Sequence, residues 1–172
     1  MRLLEEIGIL KKVPTYEEIV KNYFLTQRSS NIYAGAPGHL TTVFENIFKN
    51  VKKELLLICN EDHLNLFLDL KYEISSDVEK KVLVDSKESL SSFKEIFGTN
   101  VNYIPKKCTF NISDVILDNN FSFPKYFTVG DGKSYLVENP LKWRHRCLAS
   151  ANDIKTGEVL REIFFELWKK IN

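Results

Sequence analysis

Three histidines, His39, His63 and His145, are the imidazoles through which this chain could act on a substrate. An imidazole can attack an electrophile, move a proton or hold a metal. A metal site needs His, Cys or carboxylate side chains at ligand spacing. Asp62 and His63 are adjacent, so on a helix they point apart. Cys59, Cys108 and Cys147 are widely separated and form no CxxC pair, which indicates neither a zinc site nor a disulfide framework. No metal and no cofactor is expected. Cys59 ends the apolar run ELLLIC, where a buried thiol is the natural reading. The loop AGAPGH lacks the Lys-Ser/Thr ending of a phosphate-cradling loop.

The segment PLKWRHRC, residues 140–147, sets Trp143 beside Arg144, His145 and Arg146. An exposed Trp next to Arg can stack on a sugar or base, or the pair can receive a phosphate. A Trp that plugs the edge of the core, with both Arg side chains in water, would produce the same sequence. Trp143 and His145 are therefore candidates for ligand contact. Four others, Asn60, His63, Asp85 and Ser86, depend on which elements carry them.

Those elements follow from periodicity. Thr15 and Glu18 form a capping box ahead of a helix carrying Tyr16, Ile19, Val20 and Phe24. NIYAG reads as a short strand. Leu40, Val43, Phe44, Ile47, Phe48 and Val51 recur at helical spacing. ELLLIC is continuously apolar, as in a strand covered on both faces. A helix around Leu64, Phe67 and Leu68 follows, then the strand KKVLVD. A helix starting at Asp85 or Ser86 carries Leu90, Phe93 and Phe97, and the strand VNYIP comes next. SDVILDN, KYFTVGD and KSYLVEN are three more strands, the last two joined by GDG, a strong hairpin signal. Asp131 is then a turn residue, since a type I′ turn requires φ > 0 at both central positions. NDIKTGEVLREIFFELWKK closes the chain as a helix with the stripe Val159, Leu160, Ile163, Phe164, Leu167, Trp168 and Ile171.

Strand–helix alternation in the first half requires parallel neighbours joined by crossovers. The expected fold class is α/β: a mixed, mainly parallel sheet flanked by helices, with a long C-terminal helix and a short helical N-terminal appendage. The boundary is placed so that residues 1–29 form the appendage and residues 30–172 the α/β domain. The sequences NEDH and DSKES follow buried strands at their carboxyl ends, where ligands bind in open α/β sheets. This makes Asn60, His63, Asp85 and Ser86 ligand candidates, although helix capping would explain Asp85 and Ser86 equally well.

The 172 residues suffice for one core, and 44% hydrophobic with 27% charged residues excludes wholesale disorder. A net charge of +1 gives no whole-chain electrostatic case for nucleic acid or a membrane surface. No signal peptide or apolar span of ~20 residues is present, so no membrane partner is expected and a reducing cytoplasm is the expected compartment.

The segments HLTTVFENIFKNVKKELLLIC, KKVLVD and YFTVGDGKSYLVENP, with the terminal amphipathic helix, resemble the phospholipase D-like fold over residues 31–171. The likeness is to its degenerate form, the effector domain of archaeal TrmB-type sugar-responsive regulators and related methanogen transcription regulators. Active enzymes of that fold carry HxKxxxxD: the His attacks phosphorus, the Lys stabilises phosphate charge and the Asp orients the His. None of the three histidines here has a Lys two residues later. Lys125 precedes Asp131 by six residues rather than five, and Phe123 stands where the His would fall. In HRCLASAND, Cys147 takes the Lys position and Asn152 the Asp position.

The resemblance implies a non-catalytic regulatory or sensor domain that binds a small-molecule effector or a protein partner, with homodimerisation through its N- or C-terminal helices. LLEEIGILKKVP looks like a recognition helix entering the wing of a winged-helix domain, but these residues cannot build that domain, so direct DNA binding is not expected. Two alternatives come from other classes. One is a phosphodiesterase or nuclease with a non-standard site. The other is a pure interaction or dimerisation module.

Overall fold

The computed structural model describes residues 13–36, 38–105, 126–139 and 146–171. Helix α1 (Tyr16–Leu25) starts from the expected capping box: Thr15 Oγ1 accepts the Glu18 amide, and Glu18 Oε2 accepts the Thr15 amide. Val20, Tyr23 and Phe24 on its inner face join the core. Strand β1 (Ile32–Ala34) follows, then helix α2 (His39–Asn50). Val43, Phe44, Ile47 and Phe48 form the buried stripe of α2, with Leu40 packed at its margin.

Strand β2 (Glu54–Cys59) is covered on both faces, as its unbroken apolar run requires. Leu55, Leu57 and Cys59 enter one core, while Leu56 and Ile58 enter the other. A 3₁₀ turn (Glu61–His63) leads into α3 (Leu64–Leu70), and a second 3₁₀ turn (Lys71–Glu73) ends it. The chain continues with β3 (Glu79–Val84), α4 (Leu90–Phe97), β4 (Val101–Tyr103), β5 (Tyr126–Gly130), β6 (Ser134–Asn139), β7 (Arg146–Ser150) and α5 (Ile154–Ile171). The expected strand SDVILDN lies outside the described residues.

The described strands form one sheet in the order β1-β7-β6-β5-β2-β3-β4. The mixed sheet between helix layers is as expected, but the balance of its pairings is not. β2–β3 and β3–β4 are parallel, whereas β1–β7, β7–β6, β6–β5 and β5–β2 are antiparallel. Crossover helices impose parallel pairing on β2, β3 and β4, but the hairpin strands insert beside β2 and reverse the local direction. Strand direction still favours one sense: β5 and β7 are the two described strands that run against the other five.

Two cores result. One packs α1, α2, α3 and α4 on one face of the sheet, with ring contacts linking Phe44, Phe48, Phe67, Phe93 and Phe97. The other packs Leu160, Phe164 and Leu167 of α5 against Leu56, Val129, Tyr135 and Val137. Gly157 allows α5 to sit this close: a Cβ there would lie 2.4 Å from the backbone oxygen of Gly132.

The β5–β6 turn has φ 53° at Asp131 and 65° at Gly132, the positive pair that the Asp-Gly sequence predicts. Helix α4 differs from expectation. It begins at Leu90, not at Asp85 or Ser86, because both of those side chains are engaged elsewhere.

Candidate functional site

The carboxyl ends of β2 and β3, the start of β5 and the end of β6 meet at one edge of the sheet. There the chain leaves β2 through Asn60, and the 3₁₀ turn brings His63 back under it. His63 is 5% exposed, walled by the rings of Phe44, Phe67 and Tyr126. The Asn60 amide donates to His63 Nδ1 at 3.3 Å. A nitrogen that accepts a hydrogen bond carries no proton, so the neutral ring's hydrogen sits on Nε2. Nε2 in turn lies 2.8 Å from Oε1 of Glu138, to which it donates. Both ring nitrogens are thus engaged.

Glu138 is 7% exposed, in register with Tyr126 on one side and Cys147 on the other. Its carboxylate marks the electrostatics of the cluster. Burial chiefly, and the Glu138 charge secondly, push the Cys147 thiol up to about 12. The same two causes, in the same order and with Asp85 added, push Cys59 well above the usual thiol range. Both thiols therefore stay protonated near neutrality and are poor nucleophiles, since the thiolate is the reactive form. The Cys59 thiol points to the carbonyl of Leu83 at 3.8 Å.

Asp85 ends up beside Tyr126, whose hydroxyl donates to Asp85 Oδ2 at 2.6 Å. Ser86 Oγ donates to Glu88 Oε2 at 2.8 Å. Asn60 Nδ2 donates to Asp62 Oδ2 at 3.0 Å, while Asn60 Oδ1 is buried with no protein partner. The fold thus brings Asn60, His63, Asp85 and Ser86 to one end of the sheet and links the first three through Tyr126 and backbone contacts. Trp143 and His145 lie outside the described residues. Sequence reasoning missed Glu138 and Tyr126. A signal for Glu138 exists: alternation along SYLVEN puts it on the same face as Leu136, and a carboxylate on a core face needs a partner.

Asp131 stands at the other end. Its carboxylate accepts the backbone amides of Lys52 at 2.9 Å, Lys53 at 2.8 Å and Glu54 at 3.0 Å. Its own amide donates to the Glu54 carbonyl at 2.9 Å. β2 separates Glu54 from His63, and six extended residues span roughly 20 Å. Asp131 is a turn residue that also holds the start of β2, and it orients no imidazole among the described residues. Next to it, Lys133 Nζ donates to Gln27 Oε1 at 3.0 Å.

Among the described residues, no group of three or more His, Cys, Asp or Glu side chains is placed to hold a metal ion. No helix among them is long and apolar enough to cross a membrane.

No protein-family model matches the chain, and no curated protein does. Solved structures that share the fold include two of known identity. One is TrmBL2, an archaeal chromatin protein that binds DNA, with a TM-score of 0.55 at 11% identity over 98% of this chain. This chain spans 58% of the length of TrmBL2. The other is Nuc from Salmonella typhimurium, a phospholipase D family member, with a TM-score of 0.53 at 13% identity over 84% of this chain and 97% of that one. At these identities the likeness is one of fold: the chain has a phospholipase D-like architecture.

Proposed function

We propose that this phospholipase D-like chain is a regulatory domain without phosphodiesterase chemistry, whose polar sheet edge takes a small-molecule effector. The single observation that carries the reading is the state of His63. An attacking imidazole needs an open nitrogen beside a cationic group for the phosphate. Here Nδ1 accepts the Asn60 amide and Nε2 faces Glu138. A carboxylate in that place repels a phosphate diester rather than stabilising it.

The same edge has features of a binding surface. The acceptor Oδ1 of Asn60 is buried without a partner, and Asp85 and Ser86 flank it at the ends of parallel strands. Such an arrangement favours a ligand rich in hydroxyl or amine donors, with sugars as the first class to test. The fold shared with TrmBL2 supports placing the chain among regulators, with dimerisation through its terminal helices as part of the proposal. The fold shared with Nuc supports descent from a hydrolase scaffold.

The test is a melting-temperature screen of sugars and metabolites against the full chain. A ligand at ~100 Kd adds ~2.7 kcal/mol to stability, and the responsive ligand should lose its effect in Asn60→Ala and Asp85→Ala. A screen without any shift counts against effector binding. Hydrolysis of bis-p-nitrophenyl phosphate that His63→Ala abolishes would replace the proposal with an enzyme.

A further inference from the structure

Helix α1 buries Val20, Tyr23 and Phe24 in the core and carries on its outer side an open groove of about 330 Å³. Pro14, Glu18, Ile19, Asn22 and Arg28 line it, with the edge of Tyr23. Its apolar surface is left to solvent: Ile19 is 45% exposed, and Val13, just ahead of the groove, is 84% exposed. A cavity of ~150 Å³ holds one benzene, so this groove has room for about two branched apolar side chains. Residues 1–12, which lie outside the described residues, reach it through Val13 and Pro14. Their sequence, MRLLEEIGILKK, sets Leu3, Leu4, Ile7 and Leu10 at helical spacing. A helix this short, with Gly8 inside it, needs a surface to hold it.

We propose that residues 3–12 fold back as a helix antiparallel to α1 and seat Ile7 and Leu10 in this groove. Val13, Pro14 and Thr15 would form the connection, and antiparallel helix pairs use loops of about 2–5 residues. Ten helical residues span ~15 Å, and α1 also has 10 residues. Charge sets the direction. Glu18 stands in the first turn of α1, and Arg28 folds back at its end, its amide donating to the Tyr23 carbonyl at 3.3 Å. The antiparallel arrangement brings Lys11 and Lys12 to Glu18, and Glu5 and Glu6 toward Arg28. A parallel one would set Glu5 and Glu6 against Glu18. Exposed ion pairs add little affinity, so the apolar contacts hold the segment and the charges choose its sense. The groove shares no residue with the His63 edge, so this reading and the effector reading fail separately.

The test is amide hydrogen exchange of the ¹⁵N-labelled full chain, with a synthetic peptide of residues 1–12 as the undocked reference. Amides of residues 6–12 should exchange at least ten-fold more slowly in the full chain than in the peptide. Ile19→Asp should return them to the peptide rate while the amides of β2 and β6 keep their protection. Ile7→Asp, which alters no groove residue, should do the same. Exchange at the peptide rate in the unaltered chain would overturn the proposal. Protection that survives both substitutions would overturn it too, since the segment would then rest elsewhere. Sedimentation velocity, run alongside, covers the remaining outcome: protection lost on ten-fold dilution as a dimer dissociates would give the groove to a second copy and sink the hairpin.

Discussion

His63 Nε2 and Glu138 Oε1 meet at 2.8 Å across 75 residues of sequence, with both side chains less than a tenth exposed. The pair joins the turn after β2 to the end of β6. Removing one member strands the other in an apolar setting. Glu138→Ala should therefore cost about 2–4 kcal/mol. Glu138→Gln keeps an acceptor for the Nε2 hydrogen and should cost about half as much. Urea unfolding of the three proteins checks the order, and equal stability of all three would refute the contact.

Asp131 gives a second graded series. Asn also tolerates φ > 0 and keeps an acceptor, whereas Ala has neither property. Asp131→Asn should lose about 1–2 kcal/mol and Asp131→Ala about 2–4 kcal/mol, because up to three backbone amides lose their partner. Chemical denaturation measures both.

Gly157→Ala tests how closely α5 rests on the hairpin. Ala in place of Gly normally gains up to ~1 kcal/mol inside a helix. Here the new Cβ would meet the Gly132 carbonyl carbon at 2.6 Å and the Lys133 nitrogen at 2.8 Å, both backbone atoms. The substitution should instead destabilise by about 2 kcal/mol or more. A raised melting temperature would show that the helix can slide away.

Alkaline pH supplies a fourth test. The Cys147 thiol goes from an ordinary 9.0 to about 12 on folding, and the Tyr16 hydroxyl from 10.0 to about 12, each mainly by burial. Above pH 9 the unfolded thiol releases its proton while the folded one keeps it. The folded state then binds more protons, and stability falls as pH rises. The contribution of Cys147 is complete below pH 9 and declines from there to about pH 12. Cys147→Ala should lessen the slope of unfolding free energy between pH 9 and 10, leaving the share that the buried Cys59 thiol adds in the same direction. An unchanged slope would contradict the burial of this thiol.

Local chemistry made much of this molecule readable. The capping box, the α2 stripe, the doubly covered β2 and the Asp-Gly turn each follow from residues within one element. The phospholipase D-like architecture was legible from their order. Strand neighbours were harder to read, because inserting the β5–β6 hairpin beside β2 is decided by contacts between distant segments. The start of α4 was misjudged for a related reason: Asp85 looks like a cap in sequence, but Tyr126 of β5 claims its carboxylate. The gathering of Asn60, His63 and Asp85 at one end of the sheet was readable from their position after buried strands. Glu138 was not, since its meaning depends on the imidazole opposite.

The clamp between Asp131 and the amides of residues 52–54 spans 77 to 79 positions. Closing a loop of that size is entropically costly and is repaid once the hairpin reaches the crossover half. Neither half is complete alone: the amides opening β2 and the carboxylate of the turn are each other's solvent substitute. Chains cut between residues 105 and 126 should consequently assemble as complementary fragments, and their association should be slow compared with a local-contact fold of equal size.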